Sequence, residues 1–140
     1  MTQQTLILIK PDGVQRGLTG EILRRIEAKG YRIEQMRMLT ATPEQLAEHY
    51  HEHVDKPFYA GVCAYMTSGP IVAAVIGGDR VIEAVRTLSG ATHPIEAAPG
   101  TIRGDLGRDW GDGEIRNLIH SSDGEGSAAR EIAIWFGHSA

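Results

Sequence analysis

At 140 residues the chain is sized for one domain, 1–140, with a real core, and its 41% apolar and 23% charged content is that of an ordinary globular protein. A net charge of −4 argues against a nucleic-acid-binding surface but leaves room for a local basic pocket, and a lone cysteine, Cys63, excludes an intrachain disulfide. The apolar run at residues 6–9 is too short for a signal peptide or a membrane span, so the expectation is a cytoplasmic protein that does not engage membranes.

Residues 5–9 form a continuous β-prone run that stops at Pro11-Asp12-Gly13, a turn signal, and this predicts a buried central strand. Thr19 is placed to cap a helix with Ile22, Leu23 and Ile26 on its inner stripe and Gly30 at its exit. Residues 31–39 alternate and then change phase at Met36 and Met38, which predicts a strand with a bulge, or one lying on a partner chain. Thr42-Pro43-Glu44-Gln45 combines a capping box with proline at the first helical position; the helix it starts carries Leu46, Ala47 and Tyr50. Lys56-Pro57-Phe58 breaks the pattern, and a short helix over 61–67 follows. Residues 71–76 predict a second buried strand, which Gly77-Gly78 turns into a helix over 79–88. Residues 91–114 are rich in glycine and proline without a period, and a structureless stretch of that length in a compact domain is usually functional. A last strand over 117–120 leads to a helix capped by Ser127, with Ala128, Ala129, Ile132, Trp135 and Phe136 on one face. This order predicts an α+β sandwich of helices on one sheet.

Chemistry concentrates near the C-terminal end. His120 leaves a short apolar run and enters Ser121-Ser122-Asp123-Gly124, small residues that keep its imidazole open to a ligand. Glu131 sits at the margin of an apolar stripe beside Trp135, and a carboxylate there needs a partner. A carboxylate holding one ring nitrogen of an imidazole leaves the other as acceptor or nucleophile. Lys10 ends the first strand, Arg86 lies on the helix before the long loop, and Arg103 stands between glycines within it; joined, the three suit a polyphosphate. Phe58 is either a loop residue folded onto the core or an aromatic platform for a base. His49 and His53 share a helical face at i, i+4 spacing, but no third metal ligand stands near them.

Several motifs run in one order along nearly the whole chain: IKPDGVQRG from residue 9, His49-Tyr50 with Lys56-Pro57-Phe58, TSGP from 67, Gly90-Ala91-Thr92, PGTIRGD from 99, and Asn117-Leu118-Ile119-His120 with Ser122-Asp123. Together they resemble nucleoside diphosphate kinases. The resemblance implies a ferredoxin-like βαββαβ sandwich with a four-stranded antiparallel sheet. It also implies a ping-pong transfer of the γ-phosphoryl group from a nucleoside triphosphate to a nucleoside diphosphate through a phosphohistidine at His120, with broad base tolerance. By position, Glu131 would orient the imidazole and Ser122 would support that carboxylate. Lys10 and Asn117 would bind the ribose hydroxyls and the bridging region, with Tyr50 behind Lys10. Arg86, Thr92 and Arg103 would hold the phosphates, Phe58 would stack on the base, and Mg²⁺ would bridge phosphate oxygens without protein ligands. Strict strand alternation would set Asn117 and His120 on opposite faces, so the strand is expected to twist or end there.

The family also implies a homo-oligomer, a tetramer or hexamer built from dimers; the chain stops shortly after Gly137, where longer relatives carry a tail used in subunit contacts. Two other readings use the same residues: a nucleotide-binding regulatory domain, and a protein-histidine phosphate donor. One segment departs from the family. Between Arg103 and Asn117 the chain is longer than its relatives, and Glu114 stands where they place an apolar residue opposite the aromatic platform. Trp110 is then available as a replacement lid or as a subunit contact.

Overall fold

The computed structural model describes residues 2–137; His138, Ser139 and Ala140, beyond Gly137, lie outside the described residues. Its frame is one antiparallel sheet. Strand β1 spans Thr2–Ile9, β2 Arg32–Leu39, β3 Ile71–Asp79 and β4 Ile119–Ser121, in the spatial order β2-β3-β1-β4. The two continuous apolar runs occupy the two central strands, as expected of segments buried on both faces, with Leu6 opposite Val75 and Leu8 opposite Ala73. Among the described residues β2 pairs only with β3, and it shifts register between Ile33 and Gln35, so the phase change in the sequence is a bulge.

Among the described residues seven helices accompany the sheet: α1 (Pro11–Gln15), α2 (Thr19–Ala28), α3 (Pro43–His49), α4 (Tyr59–Met66), α5 (Val81–Ser89), α6 (Ile102–Leu106) and α7 (Glu125–Phe136). Side chains alternate across the sheet and build two cores. Ile7, Ile9, Val72 and Ala74 meet Ile22 and Ile26 of α2 and Val81, Ile82 and Val85 of α5. Leu6, Leu8, Ile71 and Ala73 meet Leu46 of α3, Met66 of α4 and Trp135 of α7 on the other face. Helices therefore cover both faces of the sheet. The β1-α2-β2-β3-α5-β4 path is the ferredoxin-like arrangement.

The structure corrects several local expectations. Pro11-Asp12-Gly13 is the start of α1 rather than a simple turn: proline fits the first helical position, where its missing N–H is not needed. Gly13 is required there, because a Cβ would stand 2.9 Å from Ile9 Cγ2 and 3.3 Å from the Leu118 carbonyl oxygen. Thr19 begins α2 but does not cap it; Leu18 occupies the cap position, held by its N–H on the Gly13 carbonyl at 2.9 Å. The capping box of Thr42 and Gln45 is present in full on α3. The helix after Phe58 starts earlier, at Tyr59, and β3 runs on through both glycines to Asp79. The long loop contains α6, whose cap is Thr101, accepting from the Gly104 N–H at 2.9 Å. Ser127 lies inside α7, and its hydroxyl turns back to donate to Asp123 Oδ1 and the Gly124 carbonyl.

Candidate active site

The site is assembled where β1 ends beside β4. The Lys10 N–H donates to the Leu118 carbonyl at 2.8 Å, and Asp12 Oδ2 accepts from the Leu118 N–H at 3.2 Å. Leu118 is thereby held at φ +71, and the Ile119 N–H closes on the Asn117 carbonyl at 2.7 Å. A γ-turn with positive φ at a γ-branched residue is strained, and such strain persists only where its surroundings enforce it. The bend starts β4 at Ile119 instead of residue 117, so Asn117 and His120 are freed from strand alternation. Asp12 also accepts from the Tyr65 hydroxyl, a pairing that holds α4 against this corner. Neither Asp12 nor Tyr65 stood out in the sequence as a site residue, although Asp12 sits within the IKPDGVQRG motif.

His120 pairs with Leu8 across the sheet and shares the face on which α7 packs. Its Nε2 lies 2.9 Å from Glu131 Oε1, and Glu131 is only 5% exposed. The Ser122 hydroxyl donates to the same oxygen at 2.6 Å, and Ser122 is itself pinned by the Leu6 N–H at 3.3 Å. Burial tends to raise the Glu131 carboxyl, but the hydrogen bond and charge of His120 and the Ser122 hydroxyl carry it below its ordinary value. Burial lowers His120, against the upward pull of Glu131. With Glu131 as carboxylate, Nε2 carries the proton and Nδ1 keeps its lone pair.

The cations surround this pair. Lys10 Nζ donates to Asn117 Oδ1 at 2.8 Å, and Asn117 Nδ2 donates to the Thr92 carbonyl at 2.9 Å. Burial, then the charge of Arg103, hold the Lys10 ammonium down to about 8. Arg103 is buried, with its guanidinium donating to the carbonyls of Asn117, Gly90 and Ile119; burial and the nearby Arg86 lower it to about 10. Arg86 donates to the Ser121 carbonyl at 3.1 Å. Thus Lys10, Arg86, Thr92, Arg103 and Asn117, distant in sequence, converge on the two residues either side of the bend and on β4. Tyr50 lines the same cavity as His120 and Glu131, its ring 4.7 Å from that of His49; the ring beneath Lys10 Nζ, at 6.0 Å, is that of Tyr65.

Three ligand-type groups, His49, His120 and Glu131, come within 4.8 Å of one another. They do not suit a resident metal. Glu131 is engaged by Ser122 and His120, and His49 Nδ1 accepts from the indole N–H of Trp135 at 3.1 Å. His49 is the last residue of α3 and His53 lies beyond it, so the two do not form a helical metal pair.

At the other end Phe58, 53% exposed, faces the long loop across a cleft of about 470 Å³. Pro57, Val62 and Tyr65 line one wall; Gly113, Glu114 and Ile115 line the other. Ile115, next to Glu114, supplies the apolar side chain on that wall. Trp110 is not the lid. Its ring stacks on the guanidinium groups of Arg108, at 4.2 Å, and Arg16, at 5.6 Å, which fastens the long loop to the end of α1.

The layout brings an apolar slot, a set of cations and an imidazole with one nitrogen on a carboxylate into one region of the fold. Nucleoside diphosphate kinase is the family whose model matches residues 3–140. The chain belongs to the nucleoside diphosphate kinase family. It is 54% identical over 134 residues to the Moorella thermoacetica nucleoside diphosphate kinase, covering 96% of this chain and 94% of that one. To the Nocardia farcinica nucleoside diphosphate kinase it is 53% identical over 137 residues, 97% of this chain and 96% of the relative. Among solved structures, the Halobacterium salinarum nucleoside diphosphate kinase in complex with CDP superposes with a TM-score of 0.90 at 46% identity, over 99% of this chain and 90% of that chain. A transition-state mimic of the Borrelia burgdorferi nucleoside diphosphate kinase, with bound vanadate and ADP, superposes with a TM-score of 0.89 at 36% identity, over 96% and 87% of the two chains. As a nucleoside diphosphate kinase, the protein is an enzyme that transfers a phosphoryl group between nucleotides. Phosphotransfer in this family uses a divalent metal. Among the described residues no helix is long and apolar enough to cross a membrane.

Proposed function

We propose that His120 carries the phosphoryl group, and that its bond to the buried, Ser122-supported Glu131 is what makes it able to do so. In the first half-reaction the Nδ1 lone pair attacks the γ-phosphorus of a nucleoside triphosphate. A P–N bond forms, the bond from phosphorus to the β–γ bridging oxygen breaks, and that oxygen leaves on the diphosphate. The Nε2 proton stays on the ring, hydrogen-bonded to the Glu131 carboxylate, which offsets the positive charge that develops on the ring. In the second half-reaction a terminal oxygen of another diphosphate attacks phosphorus and the pair of electrons returns to Nδ1. The route is ping-pong.

Lys10, Arg86, Thr92, Arg103 and Asn117 hold the phosphates and ribose, and Tyr50 closes the cavity beside His120. Their work is positioning and charge neutralisation, the main task in phosphoryl transfer. We take the divalent metal to be Mg²⁺. The floor of the site is cationic and its inner carboxylate is spent on His120, so these residues would leave the metal to be held by the nucleotide, where it would help neutralise phosphate charge. Phe58 and Ile115 clamp the base by its faces; stacking reads no base edge, consistent with broad base tolerance. The family match favours nucleotide exchange over a regulatory nucleotide-binding domain or a pure protein-histidine phosphate donor.

Exposed Met36 and Met38 on the edge strand β2, 54% and 61% accessible, support a homo-oligomer built from dimers, a tetramer or hexamer, with light scattering as its test. We take the enzyme to be cytoplasmic, a reading supported by the lack, among the described residues, of any helix long and apolar enough to cross a membrane. The test of the chemistry is incubation with γ-labelled ATP alone, followed by GDP or CDP. An acid-labile, base-stable label that moves to the added diphosphate is expected. A phosphoenzyme formed by His120→Asn would assign the nucleophile elsewhere.

A further inference from the structure

A second imidazole stands beside the reacting one. The His49 ring meets the His120 ring edge to face at 4.4 Å between centroids, and it is 5% exposed. Its own partner is Trp135, whose indole N–H donates to Nδ1 at 3.1 Å inside the core. Indole is a donor only. Nδ1 must therefore hold a lone pair, and the single proton of the neutral ring sits on Nε2.

We infer that Trp135 and His49 are positioning residues for the reacting pair: the indole N–H locks His49 as a neutral ring, so that His120 meets no cationic competitor for Glu131. The inference rests on His120 as the phosphoryl carrier. Two imidazoles and one carboxylate lie within 4.8 Å, and the carboxylate can orient only one ring well. An imidazolium at His49 would draw Glu131 from His120 Nε2. His120 would then lose its fixed tautomer, and its Nδ1 would take up a proton instead of attacking phosphorus.

The surroundings of His49 act in the same direction. It faces His120 of β4, Glu131 and Arg130 of α7, Lys10 at the end of β1, and Tyr50 beside it. Only Glu131 favours a proton there. Arg130, Lys10 and a charged His120 oppose it, and Arg130 is held in place by the Glu48 carbonyl at 2.7 Å. Burial first, then the charge of His120, hold His49 down to about 3. A proton forced onto Nδ1 would meet the indole N–H head-on and leave two buried donors unpaired.

The test is ¹⁵N NMR of the full-length enzyme with single-turnover phosphorylation. In the wild type, His49 Nδ1 should keep the shift of an unprotonated acceptor from about pH 8 to about pH 5; a ring that titrates in that range overturns the inference, and this spectrum decides the matter even if variants fail to fold. In Trp135→Phe, the titration of His49 should move up from about 3 by about one pH unit, the scale of one buried hydrogen bond, and the acid limb of phosphoenzyme formation should move up with it. In His49→Phe/Trp135→Phe no second imidazole remains, and the limb should return to its wild-type position. A role confined to packing predicts slowing that is independent of pH and at least as severe in the double variant; that result refutes the proposal. Failure of the wild type to form a phosphoenzyme would instead remove the role of His120, whatever the His49 spectrum shows.

Discussion

Replacing Glu131 by Gln keeps the size of the side chain and removes its charge. In the wild type the carboxylate is 2.9 Å from His120 Nε2 and nearly inaccessible, so water cannot take its place. A charge-assisted hydrogen bond of this kind contributes about 1.5–3 kcal/mol. If that contribution is made mainly as the ring becomes positive, the single-turnover rate of phosphoenzyme formation falls by about 10- to 150-fold at saturating ATP. ADP affinity should change much less, since Glu131 faces the imidazole and not the phosphates. The pH dependence has a definite sign. Burial lowers His120 and Glu131 pulls it back up. Without the carboxylate the ring is less basic, so the acid limb moves to lower pH even as the plateau drops. Rapid-quench measurements with labelled ATP across pH would show both effects. An unchanged plateau would mean that Glu131 is only a structural acid and that the orientation of His120 comes from elsewhere.

Phe58→Ala should weaken nucleotide binding by about 1–3 kcal/mol, with similar losses for purines and pyrimidines; calorimetry showing no loss for any nucleotide would return Phe58 to a purely structural role. Lys10 is charged below about 8 and neutral above it in the free enzyme, so ADP affinity should decline from about pH 7 to about pH 9.5; a flat profile would show that Lys10 does not bind the anion. Trimming the segment between Arg108 and Arg116 should alter apparent affinity or base preference while leaving phosphoenzyme formation at saturating ATP intact; loss of that step would place the segment at the phosphate end.

The frame of the fold was readable because the signals were long and redundant. Two unbroken apolar runs named the central strands, and the phase change at Met36 named the bulge in β2. What escaped was short. α1 and α6 have five residues each, too few for a period to emerge, and both contain glycine in their interior. Ser127 and Thr19 are good cap residues that do not cap. In each case the backbone upstream had already fixed the helix start: Gly17 at φ +71 leads tightly into α2, and Gly124 in extended conformation leads into α7.

At the site the same division has a deeper cause. Types and order of residues carried His120, Glu131, Lys10, Arg86, Arg103 and Phe58, because each is costly or odd where it stands. The contacts that make them a site are made by backbone. Arg103 reaches three carbonyls, two of them on residues next to Leu118, and Leu118 is itself bent by Lys10 and Asp12. No local rule places a leucine at positive φ; it is held there because the Lys10 N–H, the Asp12 carboxylate and the Arg103 guanidinium each satisfy a group that the bend would otherwise leave bare. That bend lets Asn117 face Lys10 while His120, three residues on, faces Glu131. The loop between Arg103 and Asn117 follows a similar logic. Its most conspicuous residue, Trp110, is spent on Arg108 and Arg16, and the wall of the base cleft falls to Ile115, a residue that drew no notice because its neighbours are glycine, acid and arginine. The aromatic clasp of Trp110 lies outside the cleft and ties the loop to Arg16, so the side chain that stands opposite Phe58 is set by how the loop is fastened and not by which of its residues is most apolar.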